Sequence, residues 1–143
     1  MRRLITGVDA TGRSCVVDET PLTPEPDPDN PGFASALAGV TSSSPPPARP
    51  EGAGHPVDLG VEPGLVSWRI VDYAADLDFP MHHSDTVDFD MVLEGSLVLV
   101  LDKGEHGLEA GDVVIVNGVD HGWRSGPDGC RLSVCSIGTP PPT

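Results

Sequence analysis

Apolar and polar positions along the second half of the chain follow the two-residue period of β-strands. Leu65–Val71 (LVSWRIV) alternates and puts Trp68 and Ile70 on one face. Phe89–Asp102 alternates at first and then runs Leu97-Val98-Leu99-Val100-Leu101, the pattern of a strand buried on both faces. Val113–Val116 is a further apolar strand, and Arg131–Ile137 (RLSVCSI) closes the series. Turn signals separate these runs: Asp76–Pro80, Lys103–Gly107, Asn117-Gly118 and Ser125–Gly129. Roughly eight to ten short strands with almost no helical periodicity predict an all-β sandwich or barrel.

The first half of the chain reads differently. Leu4-Ile5-Thr6 and Ser14-Cys15-Val16-Val17 flank the turn cluster Asp9-Ala10-Thr11-Gly12, so residues 2–18 are expected to form a hairpin. An isolated hairpin is marginal in water, so this one should pair with the main sheet or with a partner subunit. Residues 19–64 contain PLTPEPDPDNPG and TSSSPPPARPEGAGHP, where proline removes N–H donors and favours extended loop or polyproline conformations. Phe33–Val40 is expected to form a short helix or strand between them, and His55 to be exposed and silent. So long a Pro/Gly-rich arm either wraps the barrel or acts as a lid over its mouth. The expected organisation is a hairpin over 1–18, the arm over 19–64, the barrel over 65–138 and a fraying tail over 139–143.

Composition narrows the class. With 143 residues the chain amounts to one domain, and 11 of its 16 prolines lie between Pro21 and Pro63, which sets the arm apart from the barrel. The formal charge is −14, from 8 basic against 22 acidic residues, and such a surface repels phosphate backbones, so no nucleic-acid partner is expected. No basic amphipathic segment points to a membrane surface. MRRLITGVDATG carries two arginines with no apolar run behind them, so it does not read as a secretory signal, and a cytoplasmic protein is expected. Cys15, Cys130 and Cys135 have neither disulfide-framework nor zinc spacing and read as reduced, partly buried thiols.

Candidate chemistry is concentrated between Pro80 and Trp123. His82, Ser84 and Asp88 share one strand parity, as do His121 and Trp123. Two imidazoles and a carboxylate converging inside a small barrel would make a 2-His-1-carboxylate metal site with open positions. His83 has the opposite parity and points outward unless a bulge exchanges the two histidines. Ser84 is suited to hydrogen-bonding a substrate oxygen or a metal-bound water. Trp123 either walls an apolar pocket or packs in the core. Asp85 and Asp90 are general-base candidates whose simpler reading is a solvated carboxylate. Tyr73, Arg69 and Arg131 are candidate contacts for a substrate anion or carbonyl, and an inward arginine would be informative in a chain with eight basic residues.

These motifs resemble those of the cupin superfamily over roughly residues 66–137, and in particular small single-domain bacterial cupins. His82 matches the first histidine of the family's first motif, and Gly95 matches its closing glycine. Gly111-Asp112 opens the second motif, and Gly118-Val119-Asp120-His121 closes it. The first motif is degenerate: Ser84 stands at its second histidine and Asp88 at its glutamate. The second lacks the usual proline and is one residue shorter. The resemblance implies a double-stranded β-helix, or jelly-roll barrel. It reduces the family's ligand set to His82, Asp88 and His121 around a divalent Fe, Mn, Zn or Ni. The expected function is a cupin enzyme acting on a small, neutral or weakly polar metabolite, as an oxygenase, isomerase or lyase. The alternatives are a metal-free dehydratase, cyclase or isomerase using His82 or His121 as general base, and a non-catalytic small-molecule binding module. Exposed strand edges lead to the expectation of a homodimer.

Overall fold

A computed structural model describes residues 1–42 and 44–143, and none of the described residues is helical. The strands are β1 (Arg2–Val8), β2 (Ser14–Pro21), β3 (Glu25–Pro26), β4 (Ala34–Ser35), β5 (His55–Pro56), β6 (Val66–Tyr73), β7 (Asp78–His83), β8 (Thr86–Val100), β9 (Glu105–Glu109), β10 (Val113–Val116) and β11 (His121–Gly138). Nine of them form one sheet in the order β2-β1-β10-β8-β11-β7-β5, with β6 added to β11 and β9 added to β8; β3 and β4 pair separately. The all-β architecture expected from the periodicity is therefore present, as a curled half-barrel.

Two long strands make the sheet curl. β8 has 15 residues and β11 has 18, and each changes partner along its length. β11 pairs with β7 through His121–Arg124 and with β6 through Cys130–Ile137, and it runs antiparallel to β8 throughout. β8 pairs with β10 through Asp88–Met91 and with β9 through Ser96–Val100. The change of partner coincides with a shift in register: Ser125 faces Leu97, yet Cys130 faces Gly95. Ser125–Gly129, expected as a turn between strands, is instead an excursion within one bent strand. The ladder resumes beyond it because Cys130–Ile137 still finds β6 and β8 as partners.

The concave face carries the core. Leu4, Val92, Leu97, Leu99, Leu108, Val114, Val116 and Leu132 are all buried there with Trp123. The amino-terminal hairpin joins this sheet: β1 lies parallel to β10, with Leu4 opposite Val114, and Leu4 is 0% exposed. The convex side is unusual. Trp68 and Ile70 on the edge strand β6 are 77% and 56% exposed.

The arm follows the surface of the sheet. Phe33–Val40 contributes only the two-residue strand β4, paired with β3. Gly39 lies against the side chains of Ile115 and Phe89. Arg49 donates to the carbonyls of Gly118 and Ser84 and pairs with Asp85 at 3.0 Å. Gly54 N–H donates to Asp120, β5 adds parallel to β7, and Val57 N–H donates to the His83 carbonyl. His55, exposed as expected, sits beside His82 in register. No helix among the described residues is long and apolar enough to cross a membrane.

Gly95 marks the point where β8 and β11 slip. Its φ is 76°, and a Cβ there would run into the carbonyl oxygen of Gly129. Gly95→Ala should therefore lower unfolding stability by about 2–4 kcal/mol, combining left-handed strain with overpacking. Chemical denaturation measures this, and a loss below about 1 kcal/mol would mean that the bend relaxes freely.

Candidate functional site

His82 is the penultimate residue of β7 and His121 begins β11, and the two residues are directly paired in register. Their rings lie 4.3 Å apart, centroid to centroid, at a 52° tilt. Phe79 stands edge-on to His82 at 4.9 Å, Trp123 edge-on to His121 at 5.6 Å, and Tyr73 edge-on to Phe79 at 6.4 Å. These side chains wall a cavity of about 320 Å³, at the small end of the usual size of ligand pockets. Larger surface hollows beside Arg2 and Asp112, and beside Asp58 and Pro141, contain neither imidazole.

The tautomers of both histidines follow from their neighbours. Nδ1 of His82 lies 2.9 Å from the Pro80 carbonyl, and Nδ1 of His121 lies 2.9 Å from the Val119 carbonyl. A carbonyl only accepts, so each Nδ1 carries the proton and each neutral ring presents an Nε2 lone pair. Burial lowers the pKa of His82; burial, aided by the neighbouring His82, takes His121 down to about 3. Both rings are therefore neutral at neutral pH.

The cavity also has acidic lining. Asp88 and Asp90 on β8 line the same cavity and are 7% and 4% exposed. One buried oxygen, Oδ1, of each lacks a hydrogen-bond partner. Burial raises the Asp88 pKa, and burial together with the Asp88 charge raises that of Asp90 well above the ordinary carboxylate range. The expectation that Asp90 is a solvated carboxylate is overturned. In Thr86–Val92 polar positions are buried along with apolar ones: Thr86, Asp88 and Asp90 are buried beside Val87 and Val92, while Met91 is 37% exposed. Extending the buried phase of Val92 backwards along β8 would have found Asp90, but Leu93 offered the opposite phase equally well.

The remaining candidates separate. Tyr73, Trp123 and Ser84 line the cavity, and burial raises the Tyr73 pKa, so its hydroxyl keeps its proton. Trp123 is both wall and core. The Ser84 hydroxyl is engaged with Thr86 at 2.7 Å. His83 does not line the cavity: its Nδ1 lies 2.7 Å from Asp120 Oδ1, so His82 is the pocket histidine. Asp85 is held by Arg49. Arg131 is not brought to the cavity either. It is paired with Asp72 at 2.8 Å on the exposed side of the sheet, because Leu132, its neighbour, takes the inward position. The arginine at the cavity is Arg69, on β6.

This donor set falls short of the three-ligand metal centre expected from parity. Among the described residues no three His, Cys, Asp or Glu side chains are grouped to hold a metal ion. The two imidazoles supply two nitrogen donors, while the Ser84 hydroxyl is turned to Thr86. As arranged, the residues do not fit a metal held by three protein ligands.

The opposed pKa shifts predict a specific pH behaviour. His82 and His121 titrate lower in the folded than in the unfolded chain, so they cost stability as pH falls below about 6.5. Asp88 and Asp90 titrate higher when folded, so their contribution is full below about pH 4 and is lost as pH rises through the folded values. Asp90→Asn should thus raise the melting temperature relative to wild type at pH 8, with the gain vanishing toward pH 4. His121→Asn should flatten the acid limb. Calorimetric melts across pH 4–8 test both; an Asp90→Asn protein less stable than wild type at pH 8 would contradict the buried, neutral carboxyl.

No family model matches the chain. Over 64 residues it is 41% identical to the phomopsin biosynthesis cluster protein C' of Diaporthe leptostromiformis, covering 44% of this chain and 34% of that protein. Over 66 residues it is 33% identical to the cupin-domain-containing oxidoreductase fogC of Aspergillus ruber, covering 46% of this chain and 32% of that protein. The chain thus spans about a third of the length of the curated relatives it matches. Among solved structures, a cupin-2 domain containing protein from Shewanella frigidimarina superposes with a TM-score of 0.43 at 24% identity, covering 49% of this chain and 68% of that one. The chain shares a segment with cupin-domain-containing oxidoreductases, and its curled all-β sheet agrees with the jelly-roll fold of the cupin superfamily that its motifs resemble.

Proposed function

We propose that the protein is a small cupin enzyme that moves a proton on a small organic molecule bound in the barrel, as an isomerase, dehydratase or cyclase does, without a resident metal. The observation that carries this reading is the presence of two kinds of group lining one cavity. It is lined by two neutral imidazoles with free Nε2 lone pairs and by two buried carboxyls with unpartnered oxygens. His82 is half-buried on the open side of the pair and acts as the general base, whereas His121 is enclosed behind it. A proton taken from a carbon next to a carbonyl passes to Nε2 of His82, and the electron pair moves to the carbonyl oxygen. The raised pKa of Asp90 keeps its carboxyl protonated and able to donate a hydrogen bond to that oxygen as its charge grows. The proton on His82 then returns to a second carbon or to a leaving hydroxyl. The aromatic walls exclude water from the exchange.

Incubating the protein in heavy water with a panel of small carbonyl compounds tests the reading. Proton NMR should show catalysed exchange at carbon, reduced roughly 100-fold or more in His82→Ala and less in Asp90→Asn. Calorimetric titration with Zn, Mn, Ni and Fe(II) provides the second arm, and no stoichiometric binding is expected. One ion bound per chain, lost in both His82→Ala and His121→Ala, would overturn the metal-free reading in favour of a centre held by His82, Asp88 and His121.

A further inference from the structure

Arg69 is the cavity's only cationic side chain among the described residues, and it has no ion partner. Six of the chain's eight basic residues, namely Arg2, Arg3, Arg49, Lys103, Arg124 and Arg131, are paired with carboxylates. Arg13, the other exception, lies at the end of the β1–β2 turn, away from the cavity. With 22 acidic residues available, an unpaired arginine at a pocket mouth is unexpected.

The strand register explains how Arg69 comes to face inward. Arg69 pairs with Val134, and Val134 pairs with Asp90, so the three form one row across β6, β11 and β8 on the cavity side. Arg69 and Asp90 are then two strands apart, roughly 9–10 Å between backbones. The guanidinium is oriented by neutral acceptors: it donates to the Leu59 carbonyl at 2.7 Å and to the Ser67 hydroxyl at 3.2 Å. Those bonds fix its direction and leave its charge uncompensated, with donors still free in its five-donor fork. Its field reaches Asp88, lowering that carboxyl's pKa slightly against the larger effect of burial, but the two make no ion pair.

We propose that Arg69 is the anchor for a carboxylate on the substrate, so that the cavity takes a small monocarboxylate with an apolar or aromatic body. The carboxylate docks on the Arg69 fork at the mouth, the geometry in which arginine binds this group bidentately. The body lies against Val71, Phe79 and Trp123, and its far end reaches His82. A single cation without a second cationic group beside it accepts one negative charge, and the −14 chain disfavours a dianion. Arg69 is thus a specificity-determining residue of the acid–base site proposed above, on which the assignment rests.

Benzoate and benzamide, equal in shape and differing in charge, serve as probes by calorimetry and saturation-transfer NMR. Wild type should bind benzoate about tenfold or more tightly than benzamide, the smaller end of what a charge-assisted hydrogen bond contributes because the mouth is open to solvent. Added salt should weaken benzoate and leave benzamide unchanged. Arg69→Gln should remove the preference for benzoate while keeping benzamide affinity, which separates anchoring from any loosening of the Leu59 segment. Arg69→Lys should restore part of it. Failure of the acid–base reading appears as absent exchange at carbon, and failure of the anchor appears as a lost preference for benzoate over benzamide, so the two outcomes are distinguishable. Equal affinity for the two probes, undiminished benzoate binding in Arg69→Gln, or tighter binding of inorganic phosphate than of benzoate would each overturn the proposal.

Discussion

The structure depends on the antiparallel ladder between β8 and β11. Every other strand of the main sheet except β2 and β1 on one side and β5 on the other is bonded to one of these two. The ladder runs from Gly122 opposite Val100 to Gly138 opposite Thr86, and it bends where Ser125–Cys130 passes Leu97–Gly95. A straight ladder of this length would form a flat ribbon. The excursion at Gly126–Gly129 and the left-handed Gly95 let one end accept β7 and the other β6. That change of partners brings His82, Arg69 and the acidic residues of β8 to a single concavity.

Burial then sets the chemistry of that concavity. Desolvation disfavours every charged form, so it lowers histidine pKa values and raises carboxylic ones. The same cause therefore leaves bases able to accept protons and acids able to donate hydrogen bonds at the same pH. The two backbone carbonyls, of Pro80 and Val119, choose the tautomers and turn both Nε2 atoms into acceptors. Arg69 differs because it sits at the mouth, where solvent supports its charge. The arm contributes to this arrangement: Leu59 orients Arg69, and Val57 and Leu59 form part of the cavity wall. The arm is thus both a wrap over the sheet and a partial cover for the pocket.

Much of the fold was legible in the chain. The two-residue period from Leu65 onward, the glycine-bearing motifs and the Pro-rich interruption determined an all-β architecture with an irregular arm, because strand alternation and proline's missing donor act locally. The strand parity of His82 and the motif position of His121 pointed to the paired imidazoles, whereas parity turned His83 outward only if the strand was not bulged, and it was the contact of His83 with Asp120 that decided between them. What tertiary structure alone decided were features of register and burial. The turn signal at Ser125–Gly129 became an excursion because its flanking segments found partners on both sides. Asp90 became a buried wall and Arg131 an exposed ion pair, while Arg69 took the inward row, because a strand's phase relative to the core is set by its neighbours. Ser84 and Asp88 keep the parity of a ligand set but not its grouping, since parity assigns a face and leaves undetermined the distance across which side chains must meet.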